Sequence, residues 1–182
     1  MADITVLVVD DQPLMLYAMR TLLDNEDGIS VVGTAEDGQA AVEQAHALIP
    51  DLVLMDLKMP RLNGVEATRR IVAELPGIRV LVITMFSTLD HVVPALRAGA
   101  SGYLVKDARA EEILAAIHGS MADNLPLSPG VVRLLAQQVI GGVHDPKVVS
   151  GSAATEVGLA PREISVLQLL GRGLSNREIA RE

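Results

Sequence analysis

Short apolar runs alternate with amphipathic stretches through the first 120 residues, and this alternation restricts the possible folds more than any other feature. The runs with strand character are Ile4–Val9, Ser30–Gly33, Leu52–Met55, Arg79–Thr84 and Gly102–Val105. The stretches with helical periodicity are Pro13–Leu23, Gln39–Leu48, Gly64–Glu74, Leu89–Ala98 and Ala110–His118. Strands alternating with helices form a parallel sheet covered on both faces. Right-handed crossovers then favour an α/β fold with a doubly wound five-stranded sheet of order 2-1-3-4-5.

Composition narrows the functional classes. The 182-residue chain has a formal net charge of −8, and residues 1–120 carry the whole excess, with 17 acidic and 9 basic side chains. Because binding to nucleic-acid phosphates needs cations, we do not expect this part to bind nucleic acid. The apolar runs are shorter than the roughly 20 residues of a membrane span, and the N-terminus lacks a signal pattern. With no cysteine, the chain fits a reducing compartment, so we expect a cytoplasmic protein without membrane contact.

The pattern changes after residue 120, and we predict three parts: a domain over 1–120, a linker over 121–155 and a second unit over 156–182. The linker contains one amphipathic helix, Pro129–Ile140, followed by a Gly- and Ser-rich tether, Gly141–Ala154. The apolar face of that helix is predicted to consist of Val132, Leu135, Ala136 and Val139. The second unit begins with a helical pattern at Pro161–Leu170, and Ser175 with Glu178 forms a capping box that starts another helix.

Charged and hydroxyl side chains stand where the predicted strands end. Asp10 and Asp11 follow the first strand, Asp56 the third and Lys106 the fifth, and Thr84 ends the fourth. Open parallel sheets bind ligands beyond the carboxyl ends of their strands, at the point where strand order reverses. We therefore expect these five side chains to converge at one edge of the sheet.

Three carboxylates in one pocket repel each other, by about 1 kcal/mol per pair at 4 Å in water and about 4 kcal/mol at an effective dielectric of 20. A divalent cation relieves this repulsion, and a sparse set of oxygen ligands suits Mg²⁺. Lys106 supplies a second positive charge beside an incoming phosphate. Asp56 is then a candidate nucleophile, since carboxylates form aspartyl phosphates in other enzymes.

The motifs at these positions are similar to those of a known family. They are Val8–Pro13, Asp51–Pro60, Asn63-Gly64, Thr84 and Ala98–Asp107. On these motifs, residues 4–118 resemble the receiver domain of bacterial two-component response regulators, which has a flavodoxin-like fold. The resemblance implies that Asp56 accepts a phosphoryl group from a sensor histidine kinase.

The same resemblance assigns a role to each site residue. Asp11, Asp56 and the backbone carbonyl of Lys58 would hold Mg²⁺, and Asp10 would act largely through water. Thr84 and Lys106 would bind the phosphoryl oxygens. Tyr103 would swing inward as Thr84 shifts, and this would alter the face formed by helix 4, strand 5 and helix 5. A homodimer would form on phosphorylation.

The second unit resembles the start of a LuxR-type helix-turn-helix, on the segments Leu159–Ile164 and Gly173–Ala180. Together the two resemblances indicate a response regulator of the NarL/FixJ type. The recognition helix, which would enter the major groove, would lie beyond Glu182. We therefore expect the intact protein to bind promoter DNA and the chain as given not to bind it specifically.

Two residues depart from the receiver pattern. Met85 stands where the family commonly has a small residue, so the lifetime of the phosphorylated state is open. Pro94 lies within the fourth helical pattern, and an interior proline costs about 3 kcal/mol. We therefore expect helix 4 to start late, near Val92 or Val93, or to be distorted.

Two other functions stay open from the sequence. A Mg²⁺-dependent phosphohydrolase with an aspartyl intermediate would need an acid–base carboxylate two residues beyond its nucleophile, where Lys58 stands. A pseudo-receiver, an interaction module that never takes phosphate, is disfavoured by the complete set of acids, Thr84 and Lys106, although Met85 keeps it possible.

Overall fold

A parallel sheet of five strands forms the centre of the molecule, which a computed structural model describes over residues 3–141. The strands are β1 (Ile4–Val9), β2 (Ile29–Ala35), β3 (Leu52–Met55), β4 (Arg79–Thr84) and β5 (Gly102–Val105). Their order is β2-β1-β3-β4-β5, and all neighbours are parallel. The predicted fold class and strand order are confirmed.

Helices connect the strands and follow the last one. They are α1 (Pro13–Asp24), α2 (Gly38–Leu48), α3 (Gly64–Glu74), α4 (Leu89–Arg97), α5 (Ala110–Met121) and α6 (Pro129–Gly141). None of the helices in the described range has both the length and the apolar character needed to cross a bilayer. Gly141, the first residue of the predicted tether, ends α6. The rest of the tether and the second unit, 156–182, lie outside the described residues, and the three-part division of the chain stays a prediction.

Alternate residues of the central strands enter two separate core layers. Val6 and Val8 of β1 pack with α1 and α5 on one face of the sheet. Leu7 and Val9 pack with α2 and α3 on the other face. Because both faces are buried, the strands are continuous apolar runs, as expected for a parallel sheet.

Strand β2 is longer than the predicted Ser30–Gly33. It pairs with β1 from Ile4↔Ile29 to Val9↔Ala35, with one register shift between Val6 and Leu7. The shift skips Val32, and pairing with β1 resumes at Gly33, so six of the seven residues of β2 have a partner in β1. Local sequence carried no signal for this extension, since the pairing with β1 determines it.

Helix α4 corrects the expectation of a late start. It begins at Leu89 and runs to Arg97 with Pro94 inside it. The first turn forms without Pro94, because the amides of His91 and Val92 both donate to the Thr88 carbonyl at 3.0 Å. Proline removes one bond, the one to the carbonyl four residues earlier. That residue, Asp90, is exposed, so water can replace the missing donor.

The segment before α6 extends the sheet edge. The Tyr103 amide donates to the Pro126 carbonyl at 2.8 Å, and the Ser128 amide donates to the Tyr103 carbonyl at 3.0 Å. The Ser128 hydroxyl accepts from the Val105 amide at 3.0 Å. Helix α6 then packs on α4 and β5 through Val131 and Leu135. Val131, rather than the predicted Val132, is fully buried.

Gly64, the first residue of α3, offers a test of this packing. A Cβ there would lie 1.9 Å from the Asp56 carbonyl oxygen and 2.8 Å from the Leu57 Cα, so the backbone would have to move. We expect Gly64→Ala to lower the free energy of unfolding by about 1–3 kcal/mol, as overpacking does. Gly77→Ala is the matched control, because a Cβ at Gly77 meets open space. Urea unfolding checks both variants, and equal effects would contradict the close packing at Gly64.

Candidate functional site

Four strands deliver polar side chains to the carboxyl edge of the sheet. Asp10 directly follows β1, Asp56 directly follows β3, Thr84 is the last residue of β4 and Lys106 directly follows β5. The backbone continues the sheet pattern here, since the Asp10 amide donates to the Ala35 carbonyl at 3.1 Å and the Asp56 amide to the Val9 carbonyl at 3.0 Å. The predicted convergence therefore rests on the parallel pairing itself.

The three aspartates form one cluster at the point where strand order reverses. Each of Asp10, Asp11 and Asp56 contributes a carboxylate oxygen, and these oxygens lie within 4.8 Å of one another. Asp10 and Asp56 are buried and Asp11 is exposed. The cluster thus has two carboxylates shielded from water and a third at its open side.

Lys106 is the cation of this cluster. Its ammonium Nζ lies 2.6 Å from Asp10 Oδ2 and 2.9 Å from Asp56 Oδ2, and only 3% of its side chain is exposed. Burial alone would lower the pKa of Lys106, but its hydrogen bonds to Asp10 and Asp56, together with their charges, hold that pKa above its ordinary value. Lys106 is therefore charged at neutral pH.

Burial makes the carboxylate of Asp10 costly to ionise. Its Oδ1 accepts a hydrogen bond from the Gln12 amide at 3.0 Å. Burial, with a smaller contribution from the Asp56 charge, raises the pKa of Asp10, although Lys106 and the Gln12 amide partly offset the rise. The carboxylate of Asp10 is thus held in the folded protein at an energetic cost.

Asp56 is held from two sides. Its Oδ1 accepts from the Leu57 amide at 2.7 Å, and its Oδ2 accepts from Lys106 Nζ. Both oxygens therefore have fixed directions before any ligand arrives. A nucleophile that is already oriented needs less reorganisation to react.

Thr84 and Tyr103 are both fully buried. The Thr84 hydroxyl has no hydrogen-bond partner among the described residues, although a buried polar group is normally satisfied. The Tyr103 hydroxyl donates to the Phe86 carbonyl at 2.8 Å. Burial, and then the nearby Asp56 charge, raises the pKa of Tyr103, so its hydroxyl keeps its proton.

Lys58 and Met85 are exposed residues that lie close in sequence to Asp56 and Thr84. Lys58 follows Asp56 by two residues, and its ammonium stands 5.1 Å from the centre of the Phe86 ring. Its carbonyl as a metal ligand stays a prediction. The Met85 side chain is 66% exposed, so most of it lies in solvent rather than in the buried part of the acid cluster.

The residues present fit a magnesium ion. The cluster offers only oxygen donors, and one lysine offsets one of its three negative charges, so a net negative charge remains for a divalent cation. Such sparse carboxylate sets are typical of Mg²⁺, which keeps several of its waters. The Thr84 hydroxyl at the end of β4, which lacks a partner in the described part of the chain, provides a donor for a further ligand.

Two contacts of the site had no counterpart in the sequence analysis. The Leu57 amide that orients Asp56 is a backbone group, and any residue at that position would provide it. The Phe86 carbonyl that receives the Tyr103 hydroxyl is also backbone. Sequence patterns identify side chains and not backbone contacts. The sequence therefore indicated neither contact, except that Leu57 directly follows Asp56 and Phe86 lies two residues after Thr84.

Comparisons with known proteins show which family the chain is similar to. The family model for the response regulator receiver domain matches residues 6–118. Transcriptional regulatory protein LnrK of Bacillus subtilis is 38% identical over 182 aligned positions, covering 97% of this chain and 81% of LnrK. The nitrate/nitrite response regulator NarL of Escherichia coli K12 is 34% identical over 178 positions, covering 97% and 79%. The crystal structure of a LuxR-family two-component response regulator from Aurantimonas is 32% identical, with a TM-score of 0.73 over 76% of this chain and 99% of that one.

The cost of the Asp10 carboxylate predicts a pH effect on the metal-free protein. Since the pKa of Asp10 is raised on folding, stability is lost as pH rises from the ordinary value of 3.8 through the raised one. Asp10→Asn removes this loss, so it should stabilise the protein at pH 7 and stabilise it less at pH 4. Asp11→Asn, at the exposed position, is the control. Urea unfolding in a chelator measures the difference, and a destabilised Asp10→Asn at pH 7 would contradict the account.

Proposed function

This chain belongs to the response regulators of two-component signalling, and on that premise we propose that phosphorylation of Asp56 controls a DNA-binding transcription regulator. Response regulators partner with sensor histidine kinases and with DNA, and the receiver domain is not an enzyme in the ordinary sense. In this proposal the kinase phosphorylates Asp56, and the intact protein binds promoter DNA through its second unit. A cytoplasmic location and a homodimer formed on phosphorylation belong to the same proposal.

One observation carries the assignment to Asp56. Its carboxylate is buried, fixed by the Leu57 amide and by Lys106, and within 4.8 Å of two further carboxylates. An ordinary helix-capping aspartate needs neither a buried lysine nor other acids near it. This arrangement instead suits a nucleophile that works beside a cation.

The proposed reaction is a phosphoryl transfer. A lone pair of the Asp56 carboxylate forms the new O–P bond, the P–N bond of the donor phosphohistidine breaks, and the imidazole leaves with that electron pair. Asp11, Asp56 and the Lys58 carbonyl would hold Mg²⁺, with Asp10 acting through water, and the ion would supply positive charge for the phosphoryl oxygens.

Lys106 and Thr84 then hold the product. Once Asp56 carries a phosphoryl group, the Lys106 ammonium has a new anionic partner beside the carboxylate that it already contacts. The Thr84 hydroxyl, which has no partner within residues 3–141, donates to another phosphoryl oxygen. A buried group that gains its missing hydrogen bond gives the phosphorylated state a specific stabilisation.

Tyr103 connects the site to α6 in this proposal. Phe86 lies two residues after Thr84, so a shift of Thr84 moves the Phe86 carbonyl that the Tyr103 hydroxyl contacts. The backbone of Tyr103 is bonded to Pro126 and Ser128, at the start of α6. Phosphorylation would thus change the relative population of two arrangements of β5 and α6.

The two other functions are weaker. Lys58 occupies the position where a phosphohydrolase would need its acid–base carboxylate. A pseudo-receiver needs neither a lysine paired with the acids nor a buried threonine hydroxyl that lacks a partner, and within residues 3–141 this chain has both.

A small acyl phosphate tests the proposal directly. With Mg²⁺ present, the protein should gain the mass of one phosphoryl group in an intact-mass measurement, and Asp56→Asn should gain none. Thr84→Val, which keeps the shape but lacks the hydroxyl, should accept the group and lose it at a different rate. Continuous release of phosphate without a stable adduct would favour the hydrolase, and no adduct on the parent protein would refute phosphorylation.

Removal of one hydroxyl tests the path to α6. Tyr103→Phe deletes the hydrogen bond to the Phe86 carbonyl and should cost about 1 kcal/mol of stability. We expect phosphorylation of Asp56 to continue, while the change in amide hydrogen exchange that phosphorylation causes in α6 becomes smaller. Tyr17→Phe is the control, because Tyr17 is 70% exposed. An unchanged α6 response in Tyr103→Phe would remove Tyr103 from the proposed path.

A further inference from the structure

The loop between β3 and α3 carries Lys58, whose backbone carbonyl completes the metal site in the proposed function. Leu57 and Met59, on either side of Lys58, are both buried and anchor the loop to the core. Lys58 itself is exposed. The buried side chains of Leu57 and Met59 fix how closely the loop packs on the core. The direction of the Lys58 carbonyl also depends on the backbone conformation of the residues that follow.

That backbone has an unusual conformation three residues later. Arg61 has a φ of 61°, in the left-handed region that side chains other than glycine and asparagine rarely adopt. Such a conformation persists only where the surrounding structure enforces it, and it commonly occurs next to functional sites. The chain does not relieve the strain with glycine at this position.

The partner of Arg61 is an aspartate with no exposed surface. Asp37 caps α2, and its Oδ1 accepts from the amides of Gln39 at 2.8 Å and Ala40 at 3.0 Å. Its Oδ2 receives no hydrogen bond within the described range. The group closest to this oxygen is the Arg61 guanidinium, with which it forms an ion pair. One oxygen of this buried carboxylate therefore accepts hydrogen bonds from the start of α2, and the other pairs with Arg61 of the loop.

A backbone contact reinforces this connection. The Gly38 amide donates to the Leu62 carbonyl at 3.0 Å. A Cβ at Gly38 would lie 2.3 Å from that carbonyl oxygen, so glycine permits the close approach. The start of α2 therefore holds the loop at both Arg61 and Leu62.

We propose that Asp37 and Arg61 are a positioning pair that fixes the β3–α3 loop and thereby sets the affinity of the acid cluster for Mg²⁺. Neither residue contacts the metal; they act through the orientation of the Lys58 carbonyl. This inference rests on the proposed function. Outer partners of metal ligands typically change metal affinity by about 10–100-fold when they are removed.

Arg61→Gly is the most informative variant. Glycine adopts the left-handed backbone freely, so this change removes the ion pair without adding strain. Calorimetric titration with MgCl₂ should show a dissociation constant raised about tenfold. Asp37→Asn, which keeps the cap, should act in the same direction, and Arg61→Lys should restore part of the affinity. The double variant should be no weaker than the weaker single variant, because both changes break one interaction.

The control is Arg20→Ala, which removes an exposed arginine paired with Asp24 on α1 and should leave the Mg²⁺ affinity unchanged. Phosphorylation by an acyl phosphate adds a second readout. In Arg61→Gly, half-maximal phosphorylation should need about tenfold more Mg²⁺, while the rate at saturating Mg²⁺ stays that of the parent.

The outcomes separate the two proposals. A parent protein that binds no Mg²⁺ or is not modified at Asp56 would refute the proposed function. A parent that is modified, with unchanged Mg²⁺ affinity in Arg61→Gly and Asp37→Asn, would overturn the positioning pair alone. Weaker binding that accompanies loss of the native circular dichroism spectrum in chelator would also overturn it, because the pair would then support the fold and not the site.

Discussion

The contact of Lys106 with Asp10 and Asp56 is the interaction on which the rest of the site depends. One buried ammonium contacts two buried carboxylates, and a third carboxylate stands at the open side. Buried charges are tolerated only when they are paired, because the free-energy cost of desolvating an unpaired charge is not offset by other contacts. The pairing is incomplete here, and in the proposed function a divalent cation would offset the net negative charge that remains.

The parallel sheet makes this arrangement possible. Strands in register deliver their last residues to one edge, so acids from β1 and β3 meet a hydroxyl from β4 and a lysine from β5. The same strands are buried on both faces, which keeps the edge rigid. In the proposed function, the response would pass from the β4–α4 segment with Phe86 to Tyr103 and then to the start of α6, which hydrogen bonds connect. Backbone hydrogen bonds carry most of this connection.

Much of the site was predictable because the repeating alternation of strands and helices determines which residues reach the same edge of the sheet. The alternation of strands and helices predicts the sheet order, and the sheet order places Asp56 beside Asp11 and Lys106. Features that depend on backbone hydrogen bonds were not predictable: the full length of β2 follows from its pairing with β1, and the start of α4 at Leu89 follows from the bonds of its first turn to the Thr88 carbonyl. The contact of Arg61 with Asp37 joins residues 24 positions apart in a loop and a helix cap, and neither residue shows a periodic pattern.

Beryllofluoride, a mimic of the phosphoryl group, allows the central claim to be tested by crystallography of the Mg²⁺-loaded protein. The account predicts the mimic bonded to an Asp56 oxygen, a metal ion between Asp11 and Asp56, the Lys106 ammonium against a fluorine and the Thr84 hydroxyl donating to another. A mimic bonded elsewhere, or an Asp56 carboxylate that carries no mimic at saturating Mg²⁺ and beryllofluoride, would contradict it.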